Sequence, residues 1–149
     1  MSFGYGVGDI MAISGLAFKV YTACKDAPDE YRNISDEVKS LHIIINKAAQ
    51  HFESTTLSTS SRQEGQEVLK GCQNVLEDLD CLIGKYNSLA SASSSQVVQR
   101  VRLGAGLALG IEDIATLRAR LTSNTTLLNG FIQRFDIIYL LLLLLNISC

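Results

Sequence analysis

The sequence predicts an all-α protein, an antiparallel bundle of about four long helices. Three observations favour this fold class. The 149 residues include one proline, Pro28, and a chain with so few helix breakers accommodates long helices. Apolar residues recur at alternating intervals of three and four, which is the spacing of one helix face. The period-two alternation that is typical of half-buried strands does not occur.

The first predicted helix runs from about Asp9, its expected N-cap, to Cys24. Its inner face is predicted to contain Ile10, Ile13, Ala17, Val20 and Cys24, with Leu16 beside it. The preceding glycines are Gly4, Gly6 and Gly8, and we expect residues 4–8 to lack regular structure. They form no nucleotide-binding fingerprint, because such a motif follows a strand and only three residues precede Gly4.

The second helix is predicted from about Asp29 to Phe52, with an apolar seam that begins at Tyr31 and repeats every three or four residues. Residues 53–66, ESTTLSTSSRQEGQ, are polar and typical of a flexible loop. A third seam runs from Val68 to Leu89, and the polar stretch ASASSSQ (90–96) ends it.

The fourth seam begins after an ambiguous stretch, Val97 to Gly110, that suits either a short helix or an apolar loop. Its members are Ile114, Leu117, Leu121, Leu128, Phe131 and Phe135. Asn124 interrupts this seam, and a single polar residue in such a position often fixes helix register. Asn124 is therefore the candidate register-fixing residue of the core.

We divide the chain into a bundle, residues 1–135, and an apolar C-terminal tail, residues 136–149. The tail contains a run of nine apolar residues, Ile137 to Leu145. Nine residues are too few to cross a hydrocarbon core of ~30 Å as a helix. The run suits a helix end packed in the bundle, a partial membrane contact, or a truncated or misread gene product, and we favour the last explanation.

Composition and motifs point away from catalysis. The chain is 47% hydrophobic with a net charge of −2, so it has no domain-wide basic surface for nucleic acid. The four cysteines form no CxxC pair. His42 and His51 point to roughly opposite sides of one helix, and we expect both at the surface. We expect no enzymatic activity, metal, cofactor or small-molecule substrate. Because no basic residue precedes the first apolar run, the expected location is the cytoplasm.

Several stretches resemble the N-terminal domain of fungal STAND and NLR-like proteins, the HeLo-like group. They are a short glycine-rich start, Gly8-Asp9 at the opening of the first helix, KDAP before the second helix, and EVKSLH within it. LEDLDCLIGKY (76–86), IEDIATLRARL (111–121) and LLNGFI (127–132) continue the likeness. It covers about residues 2–135, and the chain departs from it after Phe135.

This resemblance implies a non-enzymatic signalling domain that acts in programmed cell death and heterokaryon incompatibility. The signal would be relayed by oligomerisation or by membrane engagement of the N-terminal helix. The implied partners are a second copy, a sensor of NACHT or ankyrin-repeat type, and membrane lipid. The candidate membrane or oligomer segment comprises Gly4, Gly6, Gly8, Ile10, Ile13, Leu16 and Val20. The alternative is a structural helical dimerisation module without membrane activity.

Overall fold

The computed structural model describes residues 6–54, 57–92 and 96–147, without the side chains of residues 30, 54, 89–92, 96–113 and 147. It contains four helices, α1 (Val7–Lys25), α2 (Asp29–Ser54), α3 (Thr59–Ala92) and α4 (Gln96–Ile147). No strand occurs within the described ranges. The predicted all-α helical bundle is confirmed.

The four helices surround one core. α1 packs against α2 and α3, and α4 also packs against α2 and α3. Fully buried side chains come from every helix, among them Ile10, Leu41, Leu79 and Phe131. Burial of these apolar surfaces is the main force that holds the helices together.

Ion pairs between the helices show their relative directions. α4 pairs with α3 through Arg120 and Asp78 and again through Arg134 and Glu64. The numbers fall along α3 as they rise along α4, so these helices are antiparallel. The pairs of α4 with α2 rise together, from Glu37–Arg118 to His51–Asp136, so α2 and α4 are parallel.

The seam predicted for α2 is buried along its whole length, from Tyr31 to Phe52. The seam predicted for α3 is fully buried at Cys72, Val75 and Leu79, whereas Val68, Leu82 and Tyr86 are only partly buried. Other α3 residues that the sequence analysis missed are buried beside this seam, namely Leu69, Leu76 and Ile83. α3 buries this wider face because it packs against both α1 and α4.

α1 begins earlier than predicted. Its N-cap is Gly6, and the carboxylate of Asp9, inside the first turn, accepts a hydrogen bond from the Gly6 amide at 2.8 Å. The expectation that Asp9 is the N-cap is therefore wrong. Val7 and Gly8 are helical, so the expected irregular stretch does not reach Gly8, and Gly4 lies outside the described residues. An acid within the first turn suits the positive end of the helix dipole.

The connection between α2 and α3 is much shorter than the predicted loop. α2 continues to Ser54 and α3 starts at Thr59, so most of residues 53–66 are helical. The hydroxyl of Ser58 accepts a hydrogen bond from the amide of Ser61 at 3.2 Å and caps α3. Gly65 is buried, and a Cβ atom built on it would lie 2.7 Å from the rings of Phe52 and Phe131, so this polar stretch packs closely against α2 and α4.

α4 resolves the ambiguous stretch in favour of a helix. It is continuous from Gln96 through Ile147, which corresponds to about 78 Å at ~1.5 Å per residue. α3 likewise continues to Ala92, so the predicted polar linker is mostly helical, and residues 93–95 lie outside the described residues.

Candidate membrane-contacting site

The candidate segment in α1 contributes its inner face to the core. Ile10, Ile13 and Val20 are buried, as is Cys24, and Leu16 is partly buried. The burial predicted for these residues is confirmed. Gly6 and Gly8 are exposed at the start of the helix.

A polar contact between α1 and α2 was missed by the sequence analysis. Ser14 is buried, and its hydroxyl donates a hydrogen bond to Asn46 Oδ1 at 2.6 Å. Asn46 Nδ2 lies 3.3 Å from His42 Nε2, and His42 Nδ1 lies 3.0 Å from the Ser14 carbonyl oxygen. The tautomer with the proton on His42 Nδ1 satisfies both contacts of the ring, because Nδ1 then donates to the Ser14 carbonyl oxygen and Nε2 accepts from Asn46 Nδ2.

Both histidines differ from expectation. His42 is half-buried within the Ser14–Asn46 contact, and His51 is half-buried and lies 3.1 Å from the Asp136 carboxylate of α4. The serine within the buried face of α1 was the available sequence signal for the first contact. The relative rotation of two helices decides whether such a residue finds a partner, and spacing within one helix does not contain that information.

Lys19 of α1 forms an ion pair with Asp80 of α3. Its ammonium group lies 2.7 Å from Asp80 Oδ2, in a pair that is largely exposed on the lysine side. Exposed pairs of this kind contribute little free energy. α1 is therefore held by its apolar face, with one exposed ion pair and one part-buried polar contact beside it.

Between Asp9 and Lys19 the outer face of α1 is also apolar. Met11 and Phe18 are exposed, and the Phe18 ring lies 5.7 Å from the His42 ring. A Cβ atom built on Gly15 would meet nothing within 4 Å, so the surface is open there. α1 is long and apolar enough to cross a membrane by length and composition.

The second apolar surface is the run Ile137–Leu145, which we call the C-terminal apolar segment. All nine side chains lie between 41% and 64% exposed. This exposure contradicts one of the three alternatives for the run, the helix end packed in the bundle. This segment belongs to the second stretch with the length and composition of a membrane span, Ile114–Asn146. The structure thus presents two helices that permit membrane association.

The position of the C-terminal apolar segment follows from the ends of its neighbours. At its base, Asp136 contacts His51 of α2 and Arg134 pairs with Glu64 of α3. α2 ends three residues after His51, and α3 begins five residues before Glu64. α4 continues for eleven residues past Asp136 and so extends beyond both helices.

Asn124 lies half-buried between α3 and α4. Its Nδ2 donates a hydrogen bond to the Arg120 carbonyl at 2.9 Å. A Cβ atom built on Gly71 of α3 would lie 2.5 Å from Asn124 Oδ1, closer than such contacts allow. Gly71 therefore makes room for Asn124, and the sequence analysis missed this fit. The register-fixing role of Asn124 stays a prediction.

The cysteines and acidic residues were candidates for a metal site or a reactive thiol. No group of three or more His, Cys, Asp and Glu side chains suited to a metal occurs among the described residues. Burial raises the pKa of the Cys24 thiol to about 11 and that of Cys72 to about 12, so both stay protonated and unreactive at neutral pH. Cys81 is exposed beside a groove between α3 and α4 that Arg120 also lines.

Comparison with protein-family models, curated proteins and solved structures gives no match for this chain. The likeness to HeLo-like domains accordingly remains a resemblance of motifs.

Proposed function

We propose that this chain is a non-enzymatic signalling domain that acts by transferring α1 from the bundle to a membrane. The HeLo-like resemblance suggests this class of function. The single observation that supports it best is the composition of α1 together with its packing. From Ile10 to Phe18 the helix has no charged residue, and it has apolar side chains on both its buried and its exposed face.

The length of α1 suits the transfer. Its 19 residues correspond to about 28 Å at ~1.5 Å per residue, close to the ~30 Å of a bilayer core, and the uncharged stretch from Ile10 to Phe18 occupies about 13 Å of that length. A bilayer would cover the face that leaves the bundle and also the exposed face around Met11 and Phe18. The helix gains apolar surroundings for both faces in lipid, whereas the bundle covers only one.

The contacts that hold α1 are compatible with release. The Lys19–Asp80 pair is exposed on the lysine side, and the polar groups of Ser14, His42 and Asn46 can exchange their partners for water. The main cost of release is exposure of the apolar face of α1 to water, and the hydrocarbon of a bilayer covers that face again. A trigger that weakens docking of α1 therefore shifts the population toward the released form.

Dye release from phosphatidylcholine vesicles tests this proposal. Lys19→Glu places a carboxylate opposite Asp80 and weakens docking of α1. The double variant Lys19→Glu with Asp80→Lys restores an ion pair of reversed polarity and carries the same charge in α1. We expect Lys19→Glu to raise the rate of dye release about threefold, the size expected for an exposed pair, and the double variant to return to the wild-type rate.

Equal rates for the single and double variants would show that docking of α1 does not control release. Absence of dye release from all forms, together with self-association in solution, would instead favour the structural dimerisation module. That alternative has the C-terminal apolar segment as its available contact surface.

A further inference from the structure

The C-terminal apolar segment is apolar around its whole circumference. Nine helical residues complete about two and a half turns, and every side chain in the segment is at least 41% exposed. A groove on a protein partner covers one face of a helix and leaves the other face in water. Hydrocarbon surrounds a helix on all sides, so the chemistry of the segment fits lipid better than a protein groove.

The length of the segment matches one leaflet. Nine residues extend about 13 Å at ~1.5 Å per residue, and half of a ~30 Å hydrocarbon core is about 15 Å. The segment is the direct continuation of the packed half of α4, whose Phe131 and Ile132 are buried. Its direction relative to the bundle is therefore fixed by the packing of α4.

The base of the segment is polar and paired. Asp136 contacts His51, and Arg134 pairs with Glu64, so charges of both signs lie where headgroups would be. Tyr139 stands in the first turn of the segment, and tyrosine favours the interface between headgroups and hydrocarbon. Paired charges at the base give no reason for a preference for anionic lipid.

We propose that the C-terminal apolar segment inserts end-on into one leaflet and anchors the bundle to a membrane while α1 remains packed. The anchor goes beyond the proposed transfer of α1 and does not depend on it. Binding to the surface is the property of the anchor, and dye release is the property of α1.

Partition onto uncharged phosphatidylcholine vesicles tests the anchor. Leu141→Asp and Leu127→Asp are a matched pair, because both leucines belong to α4 and are exposed to a similar extent, 54% and 56%. A charge near the middle of an inserted helix is costly. We expect Leu141→Asp to lower the partition coefficient about 100-fold and Leu127→Asp to leave it within about twofold, with little dependence on salt concentration.

An equal loss for both variants would overturn the proposal, since it would point to a general effect of charge. A wild-type chain that self-associates in solution and does not bind vesicles would overturn it as well, because the segment would then pair with a second copy. Binding that requires anionic lipid would contradict the end-on hydrocarbon contact.

Single tryptophans report the depth of insertion, because the chain has no tryptophan of its own. Ile138→Trp, Leu142→Trp and Leu145→Trp are compared in vesicles whose lipids carry bromine near the bilayer centre. We expect quenching to increase from position 138 to position 145. Equal quenching at all three positions would show a helix lying flat on the surface and would overturn end-on insertion.

Phe18→Trp in α1 serves as the matched control for the other apolar surface. In the resting protein we expect this tryptophan to remain unquenched while position 145 is quenched. Quenching at position 18 alone would overturn the anchor and leave the transfer of α1 standing. Quenching at position 145 with no dye release from any variant would sustain the anchor and contradict the transfer.

Discussion

α1 and the C-terminal apolar segment of α4 both belong to stretches with the composition of a membrane span, but the bundle treats them differently. In α1, 33% of the most apolar stretch is buried, whereas in the corresponding stretch of α4 only 17% is buried. α1 places one face in the core, whereas the C-terminal apolar segment is exposed on every side. Hydropathy alone therefore does not separate a partly buried helix from an exposed one, whereas the positions at which the neighbouring helices end do.

The largest expected effect separates the two regions by stability. Ile13 is 3% exposed on the inner face of α1, and Ile13→Asp places a carboxylate there without a partner. We expect a loss of about 3–5 kcal/mol in the free energy of unfolding, measured with urea in the absence of lipid. Leu141→Asp should change it by less than about 0.5 kcal/mol, as exposed substitutions do. Similar losses for the two variants would contradict the distinction.

The buried thiols test whether the inner faces stay closed. The pKa values of Cys24 and Cys72, about 11 and about 12, lie above the unfolded value of 9.0. The folded state holds these protons more tightly than the unfolded state does. The contribution of the two thiols to the free energy of unfolding is therefore complete below pH 9 and is lost as the pH rises toward 11–12. We expect each thiol to lower the free energy of unfolding at pH 10 by about 1.4 kcal/mol relative to its value at neutral pH.

Unfolding of the wild type and of Cys24→Ala with Cys72→Ala between pH 8 and pH 10 measures this effect. The difference between the two proteins isolates the thiols from other titrating groups. A difference that does not change with pH would show that these cysteines are solvated in the folded protein, and for Cys24 that the inner face of α1 is open.

Two glycines sharpen the contrast between packed and open surfaces. Gly71→Ala places a Cβ atom 2.5 Å from Asn124 Oδ1, whereas Gly15→Ala meets nothing within 4 Å. We expect Gly71→Ala to lower the free energy of unfolding by about 1–3 kcal/mol and Gly15→Ala to raise it by up to about 1 kcal/mol through helix propensity. Adding Asn124→Ala to Gly71→Ala should recover part of the loss. Loss of stability in Gly15→Ala would show that another part of the protein packs against the outer face of α1 at this position.

Sequence reasoning predicted the features that depend on one helix at a time. The seam of α2 and the burial of Ile13 and Val20 follow from apolar spacing alone, and the first residue of α2 follows from Pro28 and the acidic residues beside it. Features that need two helices were missed. The Ser14–His42–Asn46 contact depends on the rotation of α1 against α2, and the fit of Asn124 against Gly71 depends on the register of α4 against α3.

The exposed end of α4 illustrates the same limit. The apolar run Ile137–Leu145 was visible in the sequence, but its exposure depends on where α2 and α3 lie along α4. The prediction of a loop over residues 53–66 was wrong for a related reason. Polar composition favoured a loop, whereas a cap at Ser58 and the close packing of Gly65 against Phe52 and Phe131 favour helix.

The smallest expected effect concerns the register of α4, which sets how far the C-terminal apolar segment extends. Leucine has nearly the shape of asparagine, so Asn124→Leu should fit against Gly71 and bury an apolar group in place of an amide. The lost hydrogen bond goes to a carbonyl that the helix already uses. We expect a gain of about 0.5–1 kcal/mol in urea unfolding, or a change of association state in sedimentation, because a polar seam residue exchanges stability for register. A clear loss of stability in a protein of unchanged association state would mean that the amide itself is required at this interface.

Vesicle partition of the same variant reports whether the register of α4 is kept. A shift of one helical turn would move the C-terminal apolar segment by about 5.4 Å, so the partition coefficient should remain at the wild-type value if the register does not change.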